Sequence, residues 1–339
     1  MHRTHRRVIG VIASLSCTAV LWALPTAARG AALTDTQRAQ RAVAYLAQKQ
    51  RANGAIVAFS AIGSTADAVM AFVAAGEGHA QMERALTYLS GRVAAGKVDT
   101  LGLQAKVVMA VTAAGQNPRD FGGENLLGAI RSTLGPDGHY GDSAVFDDAL
   151  ALLAVGSSGV TPATRAANWL LAAQCPDGGW AYDKPYDPAT DDAHCADGSG
   201  TDFFPSDSNT SSYVVQGLAA MGAASRINAD PFAFFATVRD PVNGGWSYSA
   251  SFIATDANST GLVLQAYAAM GRVTPHGAIA SLRRLQYPAC GAFAYSWNGA
   301  VKGDPDVGAT IGAVPGLLLK PFPVHGSVAG GLPAIGPCT

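Results

Sequence analysis

Apolar residues recur every three to four positions through most of the chain, in runs broken by Gly, Pro and Asp. This period predicts about twelve helical segments. The first runs from Asp35 to Gln50 and stops at Asn53-Gly54. Ser64 and Thr65 read as the cap of a second, Ala66 to Ala75, closed by Gly76. Further segments cover Ala80–Val93, Thr100–Ala114, Asn125–Leu134 and Ser143–Val155. Pro162 reads as the first helical residue of a segment ending near Gln174. Pro231–Val238, Pro275–Leu285 and Pro305–Leu319 follow, the last interrupted by Pro315.

The two remaining segments are copies of one another. Asp207 to Gly222 aligns with Asp256 to Gly271 position for position, and both end in Ala-Ala-Met-Gly. In the second copy Leu262, Ala266 and Met270 share one helical face, with Val263 and Tyr267 beside them. Glycine turns carrying an aromatic recur along the chain: Gly138-His139-Tyr140, Gly178-Gly179-Trp180, Gly244-Gly245-Trp246 and Gly291-Ala292-Phe293. After each turn an Asp, Ser or Thr is placed to cap the next helix. A unit of this size cannot bury its apolar face alone and must stack on its neighbours. Two helices per unit, six times over, predict an all-α fold: an α6/α6 toroid, or α/α barrel, of about six hairpins. The toroid is expected over 31–323, with a Gly/Pro-rich C-terminal tail over 324–339.

Gln174-Cys-Pro-Asp-Gly-Gly-Trp180 resembles the glutamine–tryptophan (QW) turn of the prenyltransferase and squalene-cyclase repeat superfamily. Asp240 to Trp246 lacks the glutamine, and Gln286 to Phe293 carries Phe in place of Trp. The long repeats are also similar to the toroid domain of cobalamin carriers. The resemblance covers roughly Asp35 to Pro323 and implies the toroid fold. That superfamily includes enzymes, carriers and inert modules, and a fold does not convey a function.

Hydrophobic residues make up 49% of the chain and charged ones 14%, enough for a large core and against disorder. The net charge of −1 gives no basis for binding nucleic acid or an anionic membrane. The one basic run is His2, Arg3, His5, Arg6 and Arg7. It precedes an apolar stretch, Val8 to Leu24, and a small-residue site at Ala28 and Gly30. Residues 1–30 therefore read as a secretory signal peptide, with a retained anchor as the alternative, and the mature protein as extracellular and free of the membrane. Four cysteines remain after that segment, and an even number in an exported chain favours two disulfides. Of three possible pairings, Cys175–Cys195 with Cys290–Cys338 is preferred. The first closes a polar loop and the second ties down the tail.

Candidate chemistry is sparse. A squalene–hopene-type cyclase protonates an alkene with an Asp-x-Asp-Asp acid, one carboxyl kept neutral by its neighbour. The nearest strings are Asp304-Pro-Asp306 and Asp147-Asp148, and neither is complete. Asp304 and Asp306 also suit a helix N-terminus. Asp147 and Asp148 lie in an apolar helix, where Asp148 reads either as a pore-facing acid or as a rim group. The Asp–Cys–His zinc set of protein prenyltransferases has no counterpart. Asp191, Asp192, Asp197 and Asp202 crowd one loop and are candidate Ca²⁺ ligands, although their spacing is not that of an EF-hand. No other cofactor is required, and no Gly-x-Ser-x-Gly nucleophile is present. The expected ligand-lining set is Thr65, Asp67, Asp148, Asn209, Ser212, Asn258, Thr260 and Asp306, with Tyr213 and Tyr267 deeper. The reading is a non-catalytic binder of a small apolar or mixed molecule, a corrinoid being one candidate, or of a surface partner. The alternatives are a divergent terpene cyclase using Asp147, Asp148, Asp304 and Asp306, and an interaction domain whose ring is plugged by its own side chains.

Overall fold

The computed structural model describes residues 32–141, 144–183, 195, 205–298 and 300–338. The predicted signal segment and the candidate Ca²⁺ ligands Asp191, Asp192, Asp197 and Asp202 lie outside these residues. Residues 34–339 form one compact unit. Its twelve described α-helices pair as α1 (Asp35–Lys49) with α2 (Ala61–Ala75), α3 (His79–Ala94) with α4 (Leu101–Ala113), and α5 (Leu126–Ser132) with α6 (Val145–Ser157). The next pairs are α7 (Thr164–Ala172) with α8 (Ser208–Ala220), α9 (Pro231–Thr237) with α10 (Ala257–Ala269), and α11 (Ala278–Leu285) with α12 (Val307–Leu317).

The even-numbered helices form the inner ring, each packed on the next from α2 to α12, and α12 packs on α2 to close the circle. These helices are buried on most sides, as helices between two layers must be, and mostly apolar beyond their first turns. The odd-numbered helices are amphipathic and lie outside. Closure between α10 and α12 depends on glycine: a Cβ at Gly261 would sit 2.5 Å from the Gly312 carbonyl oxygen, and one at Gly316 would collide with the Gly261 backbone.

Several helix starts differ from the sequence reading, including α12, which begins at Val307 after Pro305 has paired in β6. The Ser60 hydroxyl, not Ser64 or Thr65, accepts from the Gly63 N–H, so α2 begins a turn earlier. α7 begins at Thr164, beyond Pro162, and α11 begins at Ala278, beyond Pro275. α12 continues through Pro315.

The turns lock one hairpin to the next. Gln174 Nε2 donates to the Gly178 and Ala229 carbonyls, and its Oε1 accepts from Ala229 N. Gln50 does the same with the Gly54 and Gln81 carbonyls, and Gln286 with those of Gly291 and Arg38. Where the glutamine is missing, Arg239 substitutes, donating to the Gly244 and His276 carbonyls. Trp180 and Trp246 are fully buried, and their indole N–H groups donate to Leu170 O at 2.7 Å and Phe235 O at 2.9 Å. The turn glycine Gly178 has φ +92°, and a Cβ there would lie 2.8 Å from the Asp230 carbonyl, which explains the requirement for glycine.

Short strands brace the loops. β1 (Trp180–Ala181) pairs antiparallel with β2 (Ser206–Asp207), Trp180 opposite Asp207. β3 (Phe293–Ala294), β4 (Trp297–Asn298), β5 (Val301–Lys302) and β6 (Pro305–Asp306) form two more pairs, β3 with β6 and β4 with β5. Both preferred disulfides are present, with Cα–Cα distances of 5.5 Å for Cys175–Cys195 and 5.0 Å for Cys290–Cys338. The C-terminal segment is docked. Ala329 N donates to Gly76 O, His79 N donates to Ala329 O, and Gly336 N donates to Ala289 O.

Candidate functional site

A side chain on the first turns of the inner helices reaches back to the preceding glycine turn. Thr65 Oγ1 accepts from Ile56 N, Ser211 Oγ from Trp180 N, Thr260 Oγ1 from Trp246 N and Thr310 Oγ1 from Phe293 N. In α6 the position is held by Asp148, whose Oδ1 accepts from Tyr140 N at 2.9 Å. Its other oxygen is 3.2 Å from His139 Nε2, and the His139 ring stacks on Trp169 at 4.2 Å. Asp148 is 1% exposed and is a turn lock, not a pore-facing acid. Thr65 and Thr260 are locks as well, not ligand-lining groups.

The sequence separation across these locks shows where the ring is elaborated. It is 9 residues for Ile56–Thr65 and 8 for Tyr140–Asp148, but 31 for Trp180–Ser211, 14 for Trp246–Thr260 and 17 for Phe293–Thr310. The three longer separations all lie between a turn aromatic and the first turns of an inner helix, whose N-terminal ends form the mouth of the ring. Tyr182, Tyr248 and Tyr295, each two residues beyond a turn aromatic, are half-exposed. Their carbonyls accept from Phe146 N, Ser208 N and Ala257 N, tying each loop to the start of the preceding inner helix.

Two carboxyls are buried at this mouth. Asp207 and Asp256 cap α8 and α10, their Oδ1 atoms accepting from Thr210 N and Ser259 N at 2.7 Å. Burial pushes both up to about 6, against the opposing pull of their cap hydrogen bonds. The Tyr248 hydroxyl lies beside Asp207, and burial together with that carboxyl raises the phenol well above its ordinary range.

Inside the ring lies a cavity of about 130 Å³ to which all six inner helices contribute. Nearest the mouth are Phe146, Asn209, Asn258 and Gly308, each the second residue of its helix. One turn deeper are Asp67, Lys106, Tyr213, Leu262 and Gly312. Gln265 and Pro315 lie deeper again, and Phe322 closes the far end. Aromatic rings line one wall from mouth to floor: Tyr182 on Phe146 at 5.5 Å, Phe146 edge-on to Tyr213 at 5.3 Å, and Tyr213 stacked on Phe322 at 5.8 Å.

The polar centre is an ion pair. Lys106 Nζ is 2.7 Å from Asp67 Oδ2, and these are the sole charges of α4 and α2. Asp67 and the nearby Tyr213 and Asp147 hold the ammonium protonated well above its usual range, outweighing the burial that opposes it. Burial pushes the Tyr213 phenol up to about 12. Asp147, half-buried beside Gly102, is raised by burial and by Asp148 while Lys106 pulls it down.

The floor is held by the two copies of the long repeat. Their equivalent glutamines reach the segment after α12: Gln216 Oε1 accepts from Phe322 N, and Gln265 Nε2 donates to Lys320 O. Lys320 Nζ donates to Ala74 O, placing a cation at the C-terminal end of α2, where the helix dipole favours it.

Of the sequence-derived ligand candidates, Asp67, Asn209, Tyr213 and Asn258 meet in the cavity. Ser212 is fully buried and does not line it. Tyr267 packs against Phe232 and Trp246 on the outer side. Asp306 caps α12, its Oδ1 accepting from Ala309 N, and borders a separate rim pocket with Tyr45 and Phe59. Asp304 is exposed on the loop before it. Lys106, Phe146, Gln265 and Phe322 were missed, although an isolated Lys in a helix as apolar as α4 is itself a signal. Among the described residues no group of three His, Cys, Asp or Glu side chains is placed to hold a metal, and no helix is long and apolar enough to cross a membrane.

The architecture recurs in solved structures. The apo type II terpene cyclase MstE from Scytonema is 13% identical with a TM-score of 0.56, covering 84% of this chain and 98% of its own. A mutant unsaturated glucuronyl hydrolase from Streptococcus agalactiae is 10% identical with a TM-score of 0.53, covering 84% and 90%. A protein from Actinoplanes is 15% identical with a TM-score of 0.54, covering 85% and 99%. At these identities the likeness defines the fold, the α6/α6 toroid. No family model and no curated protein sequence matches the chain.

Proposed function

We propose that this protein is an exported, non-catalytic binder of a small molecule of mixed polarity, held in the central cavity and admitted through the mouth. The carrying observation is that cavity: side chains of all six inner helices meet there around a floor made by Phe322. Polar groups at fixed positions beside an apolar wall are the usual makeup of a ligand site. Its volume of about 130 Å³ falls below the roughly 300–1,000 Å³ of pockets for drug-sized ligands, which favours a compact guest over a polyprene or a corrinoid. The two disulfides favour an oxidising compartment and so support export.

A cyclase reading is favoured by one observation, the raised Asp147 beside the mouth. Asp148 is committed to its turn, Asp306 borders the rim pocket, Asp304 is exposed, and Asp67, the carboxyl that lines the cavity, is paired with Lys106. Native mass spectrometry of protein purified from its own secretion medium separates the two. A mass increment lost under denaturing spray supports the binder. Turnover of a polyprene that disappears in Asp147→Asn would replace that reading with the enzyme.

A further inference from the structure

We propose that the ligand is a neutral, single-ring aromatic molecule carrying both a hydrogen-bond donor and an acceptor, its ring among Phe146, Tyr213 and Phe322 and its polar edge on the Asp67–Lys106 pair. This deepens, and rests on, the reading of the cavity as a ligand site.

Size comes first. An apolar cavity of about 150 Å³ engineered into another protein stays dry and takes up benzene, and the space here is about 130 Å³. One ring with a short substituent fills it; a second ring does not fit.

Wall chemistry selects an aromatic guest. Four aromatic side chains, Phe59, Phe146, Tyr213 and Phe322, border this one small space. Phe146 stands at 85° to Tyr213, while Phe322 lies within 11° of it, so edges and faces are both presented. Aromatic pairs gain from edge-to-face and offset-stacked contacts beyond the area they bury, and a saturated ring does not.

Charge selects neutrality. Asp67 and Lys106 cancel, so the pair at the cavity centre is dipolar, and the neighbouring Asp147 stands outside the lining. A carboxylate guest would place a second anion beside Asp67 in partly desolvated surroundings, and an ammonium guest would meet Lys106. Neither penalty falls on a neutral molecule.

The polar groups nonetheless ask for partners. An ammonium has three N–H donors, and Asp67 engages one of those of Lys106. Asn258 borders the same cavity, and no side-chain hydrogen bond within the described protein engages its amide. Donors and acceptors are therefore both on offer, and a guest with one of each satisfies them.

Isothermal titration with four probes tests this: benzamide, benzoate, benzylammonium and cyclohexanecarboxamide. Benzamide is expected to bind at least tenfold more tightly than the other three. Asp67→Asn/Lys106→Met is expected to weaken it tenfold or more. Asn258→Ala removes a side chain with no internal hydrogen bond, so it is expected to keep the wild-type unfolding temperature while losing benzamide affinity severalfold. Equal or tighter binding of a charged or saturated probe overturns the proposal, as does benzamide affinity unchanged in Asn258→Ala. A native ligand seen by mass spectrometry together with no benzamide binding sinks the aromatic assignment and leaves the cavity reading intact. No native ligand and no probe binding sinks both.

Discussion

Gln286 on the last hairpin and Arg38 on the first are bonded in both directions: Gln286 Nε2 donates to Arg38 O at 2.9 Å, and Arg38 Nη1 donates to Gln286 Oε1 at 3.0 Å. This exchange is the seam at which the toroid closes, and Gln286 also holds its own turn through Gly291 O. Three hydrogen bonds depend on one nearly buried amide. Gln286→Ala is expected to lower stability by about 2–4 kcal/mol, with each lost bond contributing roughly 1 kcal/mol and the stranded groups adding to it. Urea unfolding with an unchanged slope checks this. Gln174→Ala, which breaks the same triple contact between interior hairpins, should cost a similar amount.

The buried mouth carboxyls predict an acid-side gain in stability. Burial holds Asp207 and Asp256 up at about 6 in the folded protein, above the roughly 3.9 of an exposed aspartate. The native state therefore holds more protons than the unfolded chain between those values, and stability falls as pH rises through that window. Each group contributes at most about 3 kcal/mol, fully present below the unfolded value and lost above the folded one. Thermal unfolding from pH 4 to pH 7 should show the decline, and Asp207→Asn/Asp256→Asn should flatten it, since Asn keeps the cap acceptor.

Breaking the cavity ion pair on one side should be worse than removing it whole. Lys106→Met or Asp67→Asn alone leaves a mostly buried charge without its partner, at a cost of up to about 3–5 kcal/mol. The double variant should recover much of that loss. A double-mutant cycle by chemical denaturation reads the coupling directly, and additivity would mean that the pair is solvent-screened.

Cys290 and Cys338 are separated by 48 residues and pin the chain end against the body. Replacing both with Ser removes a loop constraint worth up to about 4 kcal/mol in the chain-entropy model. Amide exchange should rise first at Ala329 and Gly336, whose N–H groups bond to Gly76 and Ala289.

The fold was legible because repetition writes the same local rule many times. Gly178, Trp180 and Gln174 are close in sequence, and the turn they make depends only on neighbours. Arg239 was not legible as a glutamine substitute, because equivalence with Gln174 appears only when both reach the next outer helix. The choice between the two readings of Asp148 was not legible for a related reason: its partner is a backbone N–H eight residues earlier, which hydrophobic period does not encode. The cavity was half legible. Asn209, Asn258, Tyr213 and Asp67 follow from helix phase, whereas pairing Asp67 with Lys106 requires knowing that α2 and α4 are neighbours on the ring. Phe322 was beyond sequence reasoning, since nothing local indicates that a Pro-Phe-Pro segment turns back to floor the ring.

The most direct test of the central claim is the electron density inside the ring in crystals of protein taken from its own secretion medium. Density for a compact molecule bounded by Phe146, Tyr213, Leu262 and Phe322, in contact with Lys106, is the expected result. A cavity collapsed onto its own side chains, or filled by water alone, with Lys106 bonded only to Asp67, would contradict it.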